Sequence, residues 1–191
     1  STPLYSSAAS DVYKRQHTDT PLWFKNGYSV GLRKDNMVSI PKMEEGKLDA
    51  QFLAAFIWQG KRDDASSQKA VESTTRLIQS IYDEVEQYKD FCGIALTEED
   101  LIRLKREGKK AFFIGIENGY AIGKDLKNIA KYKQMGVNYI TLCHSYDNDI
   151  CHSSTHTEDA TEGLTRFGRE VVKEMNRLGI MIDVSLSLIH I

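Results

Sequence analysis

Short, continuous apolar runs alternate along this chain with longer segments in which apolar residues recur at helical spacing. Continuous apolar runs are typical of strands buried on both faces, and the helical repeat is typical of an amphipathic helix. The predicted strands are residues 51–59, 111–117, 138–143 and 180–184, and the predicted helices are residues 64–88, 97–108, 125–135 and 165–178. This alternation predicts an α/β fold, with a parallel sheet covered by helices.

Residues with known end preferences mark the borders of these helices. Thr97 is a candidate N-cap, and the acidic residues 98–100 after it suit the positive end of a helix. Glycine often ends a helix, and Gly108, Gly136 and Gly179 each follow a predicted one. The end signals therefore agree with the periodicity.

The two ends of the chain lack this order. Residues 1–16 are rich in Ser and Ala without a period, and residues 186–191 break off abruptly after a well-formed strand pattern. We interpret both segments as non-native sequence that resembles translated sequencing adapter, and we assign the β/α region to residues 17–185. The alternative is that the segments are native, flexible termini.

Composition narrows the function classes. The 191 residues suffice for one domain with a core, and 41% hydrophobic with 27% charged residues is an ordinary soluble profile. A formal net charge of -2 gives no electrostatic case for nucleic acid as a partner, and no apolar stretch is long enough to span a bilayer. Three cysteines without paired spacing argue against a disulfide framework and favour a reducing, cytoplasmic compartment.

Two predicted strands that follow one another in the sequence end at residues with side chains that can bind metal or transfer protons. Glu117 ends the run 111–117, and His144 directly follows the run 138–143. The carboxyl ends of parallel strands open onto one face, so we expect Glu117 and His144 side by side at the mouth of a site. A buried carboxylate is costly unless it is paired or bound to metal, which favours a metal or acid/base enzyme. The alternative is an ordinary strand-end carboxylate and histidine with structural partners.

His17 and Asp19 offer a second set of ligands. At i and i+2 on a strand, their side chains would point the same way and could reach one ion. Imidazole and carboxylate together suit zinc or another divalent ion. The same spacing also occurs by chance, so it is a weak signal by itself.

A further polar cluster contains Cys151, His152 and His156. The two histidines are four residues apart and could share a helix face in a structural zinc site. The intervening Ser-Ser-Thr, the following Glu-Asp and the lack of a fourth ligand at a characteristic spacing favour a solvated polar loop instead.

Several blocks together resemble one family. Residues 116–119 (Ile-Glu-Asn-Gly), residues 136–144 (Gly-Val-Asn-Tyr-Ile-Thr-Leu-Cys-His) and residues 163–179 resemble, in this order, blocks of the renal (membrane) dipeptidase family of zinc peptidases, peptidase family M19. Residues 181–185 resemble the strand after them, and residues 17–19 resemble the remnant of the family's opening Asp-Gly-His-x-Asp motif. Linked blocks in the right order are more specific than any one of them.

The resemblance implies a fold and a site. The fold would be a partial (β/α)8 TIM barrel of the metal-dependent hydrolase type, roughly its first half. The intact site would hold two zinc ions, with His17 and Asp19 on one ion and Glu117 bridging both as the catalytic carboxylate. His144 would contact the dipeptide substrate. The resemblance also allows a homodimer of the intact protein.

Some positions depart from the family pattern. Leu186 stands where the family has a histidine, and Arg15-Gln16 replace the opening Asp-Gly. Asn138 and Cys143 replace the usual Arg and Thr. We therefore expect a fragment with about half of a binuclear site, inactive by itself. The alternative is a non-catalytic β/α module that binds a small ligand or a single metal ion.

Overall fold

Strands and helices alternate in the order that the sequence predicts, in a computed structural model that describes residues 17–32, 36–155 and 163–188. Within these ranges the strands are β1 (His17–Thr18), β2 (Ala50–Phe56), β3 (Cys92–Ile94), β4 (Lys110–Glu117), β5 (Val137–Thr141) and β6 (Met181–Asp183). The sheet order is β1-β2-β4-β5-β6, and β3 also pairs with β4. The pairs β1–β2, β3–β4 and β5–β6 are parallel, which confirms the predicted α/β class.

The helices connect these strands. They are α1 (Ile40–Glu45), α2 (Asp64–Gln87), α3 (Glu98–Arg106), α4 (Lys127–Gln134) and α5 (Arg166–Leu178), with 3₁₀ helices at Thr20–Asn26 and Gly119–Ile122. In the described part of the chain, no helix combines the length and the apolar character needed to cross a bilayer.

The contacts divide the chain into two compact units, the first drawn from Ser1–Ala54 and Gln79–Ile114. Its described residues include a small core in which Leu101 and Phe113 pack against buried aliphatic residues, namely Ala50, Ala95, Leu104 and Ala111. The Phe52 and Phe113 rings lie 5.1 Å apart, an aromatic contact that adds to this burial. Glu84 is buried and accepts a hydrogen bond from the Val30 N–H at 2.9 Å, so its carboxylate has a hydrogen-bond partner inside this unit.

The second unit is drawn from Ala55–Ile78 and Gly115–Ile191. Tyr132 on α4 is fully buried, and its hydroxyl donates to the Ala121 carbonyl at 2.6 Å. Gly115 on β4 lies against the ring of Tyr139 on β5. A Cβ at Gly115 would come within 1.9 Å of that ring, so this close approach requires glycine.

The helix borders agree with the end signals in the sequence. The Thr97 side chain accepts a hydrogen bond from the Asp100 N–H, which confirms the predicted N-cap of α3. Gly108, Gly136 and Gly179 have φ between 66° and 81°, the left-handed conformation predicted for residues that end helices. The predicted strands 51–59, 111–117, 138–143 and 180–184 correspond to β2, β4, β5 and β6, each within a few residues.

Among the described residues, five short elements are not in the list of predicted strands and helices: β1, α1, β3 and the two 3₁₀ helices. Each has seven residues or fewer, and β3 has three, so none is long enough to show a period.

The two ends differ in how much of them is described. Residues 1–16 and 189–191 lie outside the described residues. Of the predicted tail, Leu186 accepts a hydrogen bond from the Ser154 N–H at 2.8 Å, and the Leu188 N–H donates to the His152 carbonyl at 3.1 Å. Residues 186–188 therefore pair with the segment after Cys151.

Candidate metal centre

His17 and Asp19 lie at the end of β1. The strand covers only His17 and Thr18, and Asp19 is the N-cap residue of the following 3₁₀ helix, with φ −85° and ψ 14°. The expectation that both residues share one strand face was therefore wrong, because the strand ends between them. Their side chains are nevertheless close, since His17 Nε2 lies 3.8 Å from Asp19 Oδ1.

Glu117 is the last residue of β4, and its side chain is only 8% exposed. His144 follows β5, and its Nε2 lies 3.5 Å from Glu117 Oε1. The two strand ends thus bring these side chains together, as the sequence led us to expect.

The His144 ring is held from two sides. Its Nδ1 lies 2.8 Å from Ser145 Oγ, and its ring packs against Phe56 with the centroids 4.9 Å apart. Phe56 is the last residue of β2, and sequence reasoning did not assign it to the site. These contacts direct Nε2 towards Glu117.

The residue after Glu117 has an unusual backbone. Asn118 has φ 82°, a conformation that is uncommon outside glycine, and asparagine is among the residues that best tolerate positive φ. Its side chain accepts a hydrogen bond from the Tyr120 N–H at 3.1 Å, which caps the 3₁₀ helix 119–122. Backbone held in this way costs about 1–3 kcal/mol and tends to cluster at functional sites.

Asn148 fixes the loop that carries His144. Its amide donates to the Leu142 carbonyl at 2.8 Å and lies 3.4 Å from Asn118 Oδ1. Its Oδ1 accepts the N–H groups of Ile150 and Cys151 at 2.9 and 3.1 Å. Asn148 is therefore a positioning residue that the sequence analysis missed, because its partners are mostly backbone groups brought together only by the fold.

Three candidate ligands form one group. His17, Asp19 and Glu117 each offer one ligand atom, and these atoms all lie within 4.8 Å of one another. One imidazole and two carboxylates form a donor set that suits zinc and other divalent transition metals. The residues present therefore fit a metal ion of the predicted kind.

The cluster of Cys151, His152 and His156 does not form such a ligand group in the described residues. His152 Nδ1 lies 2.8 Å from Asp147 Oδ2, and Cys151 is fully buried. Within residues 17–32, 36–155 and 163–188, Cys151 and His152 are not part of any group of three that could hold a metal, and His156 lies outside the described residues. The described part of this segment is a loop, as the sequence analysis expected. Cys151 and Ser153 are buried, however, so the loop is not a solvated one.

The sequence pattern of the membrane dipeptidase family, peptidase family M19, matches residues 13–187. The chain belongs to this family. The matched residues include His17, Asp19, Glu117 and His144.

Individual dipeptidases are also similar to the chain. Dipeptidase 3 of Rattus norvegicus is 30% identical over 182 residues, which are 88% of this chain and 35% of that protein. Dipeptidase tcpJ of Claviceps purpurea is 29% identical over 152 residues, which are 78% of this chain and 36% of that protein. The chain thus spans a little over a third of the length of these relatives.

Solved structures have the same fold. The probable dipeptidase PvdM from Pseudomonas aeruginosa is 27% identical with a TM-score of 0.79, over 96% of this chain and 50% of that one. A metallopeptidase from Rhodobacter sphaeroides, solved with a phosphinate mimic of L-Ala-D-Ala, has a TM-score of 0.76 at 20% identity, over 91% of this chain and 58% of that one. The chain therefore has the fold of roughly half of a (β/α)8 barrel of this family.

Proposed function

We propose that a protein carrying this chain hydrolyses dipeptides at a centre of two zinc ions. The observation that carries the proposal is the family match over residues 13–187. The names of the relatives support it, since Dipeptidase 3 and Dipeptidase tcpJ are both named for dipeptide hydrolysis.

The proposed roles of the site residues are those that the resemblance to the family implies. His17 and Asp19 would hold one ion, and Glu117 would be a ligand of that ion and of a second one. When bound, a pair of zinc ions supplies a water of lowered pKa and polarises the peptide carbonyl. Glu117 is well suited to hold them, because its side chain is 8% exposed and water competes little for its oxygens.

His144 is proposed to position the substrate. Its Nε2 lies 3.5 Å from Glu117 Oε1, so a hydrogen bond from this nitrogen can reach a substrate bound beside the bridging carboxylate. The Phe56 ring restricts the imidazole on one side, which keeps the donor aimed at this place.

The test is hydrolysis of a dipeptide panel, including L-Ala-L-Ala and L-Ala-D-Ala, with and without a chelator. The protein to be assayed is a longer gene product that includes this chain and is as long as its relatives. We expect chelator-sensitive release of amino acids that Glu117→Gln abolishes. The matched control is Glu72→Gln, which changes an exposed glutamate on α2 and should hydrolyse like the unchanged protein. Full activity of Glu117→Gln, or activity untouched by chelator, would overturn the proposal.

The 191-residue chain by itself is a separate case. The described residues supply one group of three ligands, and the chain spans about a third of its curated relatives, so we propose that it binds at most one zinc and does not turn over dipeptides. Elemental analysis showing two tightly held ions per chain, or robust turnover by this chain, would contradict this. A longer protein that binds dipeptides without hydrolysing them would favour the non-catalytic binding module.

We also propose a homodimer for the longer protein. Light scattering coupled to size-exclusion chromatography measures its mass directly, and a monomer across the accessible concentration range would contradict the dimer.

A further inference from the structure

Two buried thiols lie together in the loop beside His144. Cys143 and Cys151 are both free and fully buried, and their sulfurs lie 3.5 and 3.7 Å from the same hydroxyl oxygen, Ser187 Oγ. Both sulfurs therefore lie around one hydroxyl group of the folded protein.

The backbone on both sides of the pair is fixed. The side chain of Asn148 donates to the carbonyl of Leu142, directly before Cys143, and accepts the N–H of Cys151. The Cys143 sulfur lies 3.6 Å from the His152 carbonyl oxygen and 3.5 Å from that of Leu186. These contacts fix the backbone on both sides of the two sulfurs, and a disulfide needs cysteines whose backbones the fold holds close.

The two thiols differ in character. Hydrogen bonds from Cys151 and Ser187 lower the pKa of Cys143 despite its burial, whereas the hydrogen bond to Cys143 and burial raise the pKa of Cys151. Since the thiolate is the reactive form of cysteine, these opposite directions make Cys143 the more nucleophilic of the two.

We propose that Cys143 and Cys151 are a redox-active pair that hydrogen peroxide converts to an intramolecular disulfide. In the first step the Cys143 thiolate attacks one peroxide oxygen, the O–O bond breaks, and the released hydroxide takes up a proton to become water. This leaves a sulfenic acid on Cys143. In the second step the Cys151 sulfur attacks the Cys143 sulfur, and the sulfenic hydroxyl leaves with the Cys151 proton as water. The two thiols lose two electrons in total, and one peroxide becomes two waters.

This modification site is independent of the proposed hydrolysis. Neither sulfur belongs to the group formed by His17, Asp19 and Glu117. The disulfide would nevertheless close the loop that begins at His144, the residue next to Cys143, and so restrict the segment that places the imidazole beside Glu117.

The experiment treats the full 191-residue chain with hydrogen peroxide, blocks the remaining thiols with an alkylating agent, and maps the peptides by mass spectrometry. We expect a peptide pair linked through Cys143 and Cys151, lighter by two hydrogen atoms and restored by dithiothreitol. Cys151→Ser should accumulate a sulfenic acid on Cys143 that dimedone traps, and Cys143→Ser should form neither product.

Cys92 is the matched control. It is also buried, and burial raises its pKa to about 12, so it should stay reduced and Cys92→Ser should oxidise like the unchanged chain. Circular dichroism before and after peroxide shows whether the fold persists. Three free thiols after treatment, linkage between separate chains, or oxidation of Cys92 at the rate of Cys143 would each overturn the proposal.

Discussion

At the scale of single residues, the site depends on side chains that bind backbone groups. Asn148 joins the turn at Asn118 to the loop after β5, because its amide reaches both the Leu142 carbonyl and Asn118 Oδ1. Asp147 acts similarly by accepting the Ser153 N–H at 2.7 Å while lying 2.8 Å from His152 Nδ1. The contacts of Asn148 therefore fix the backbone beside Glu117 and His144.

The first prediction at this scale concerns His144. In a zinc-loaded protein of the family's length, His144→Asn should weaken the binding of a phosphinate dipeptide mimic about 10- to 100-fold, since a hydrogen bond to a charged group contributes about 1.5–3 kcal/mol. Zinc affinity should not change, because His144 is proposed to contact substrate and not metal. Isothermal titration calorimetry measures both affinities.

The neighbouring histidine provides the control for this measurement. His152 lies in the same loop and pairs with Asp147, so His152→Asn should leave binding of the mimic unchanged. If His144→Asn lost zinc instead of the mimic, His144 would be a metal ligand and its proposed role would be wrong.

The sequence indicated some of these residues and not others. Glu117 and His144 could be paired in advance because each directly follows an apolar run, and parallel strands end at one edge. Asn148 and Phe56 could not, because nothing in their local sequence shows which carbonyl or ring the fold brings to them. For His17 and Asp19 the assumed strand was too long, since β1 ends before Asp19.

At the scale of elements, end signals explain why the long helices were predictable. α3 begins after Thr97 and α5 after Thr165, and each threonine accepts a backbone N–H three residues later. Some short elements also have a cap residue, such as Asn118 before the 3₁₀ helix 119–122, but they are too short to show a period. β3 pairs with β4 from Cys92 to Ile94, and such pairing depends on a partner distant in the sequence.

The two threonine caps allow a matched prediction. Thr165 accepts the Gly168 N–H at 2.9 Å and also donates to the Asp149 carbonyl at 2.6 Å, whereas Thr97 accepts the Asp100 N–H at 3.3 Å at an exposed site. Thr165→Ala should therefore lower the free energy of unfolding by about 1–2 kcal/mol and Thr97→Ala by about 0.5–1 kcal/mol. Urea unfolding followed by circular dichroism gives both values. A larger loss for Thr97→Ala would show that the Asp149 contact contributes nothing.

At the scale of the whole molecule, the family and the α/β class could both be reached from the sequence. The resemblance rested on several blocks in order, and the family match spans residues 13–187. What the sequence did not supply is the distance between ligands far apart in the chain. His17 and Glu117 are 100 positions apart, and only the folded chain brings their ligand atoms within 4.8 Å.

This juxtaposition predicts that zinc stabilises the folded chain. The three ligands come together only in the native state, so zinc should bind that state preferentially and raise the midpoint of thermal unfolding. Zinc at a hundred times its dissociation constant would add about 2.7 kcal/mol, which for a chain of this size raises the midpoint by about 5–10 °C. Scanning fluorimetry of the 191-residue chain, first stripped with a chelator, measures the shift.

The variants test whether these ligands cause the shift. Glu117→Gln should lose most of the zinc-induced rise in the midpoint, because the remaining imidazole and carboxylate form a poorer site. Glu72→Gln should keep the full rise. An equal shift in Glu117→Gln would mean that zinc binds elsewhere in the chain, and no shift in the unchanged chain would mean that these three side chains do not hold zinc by themselves.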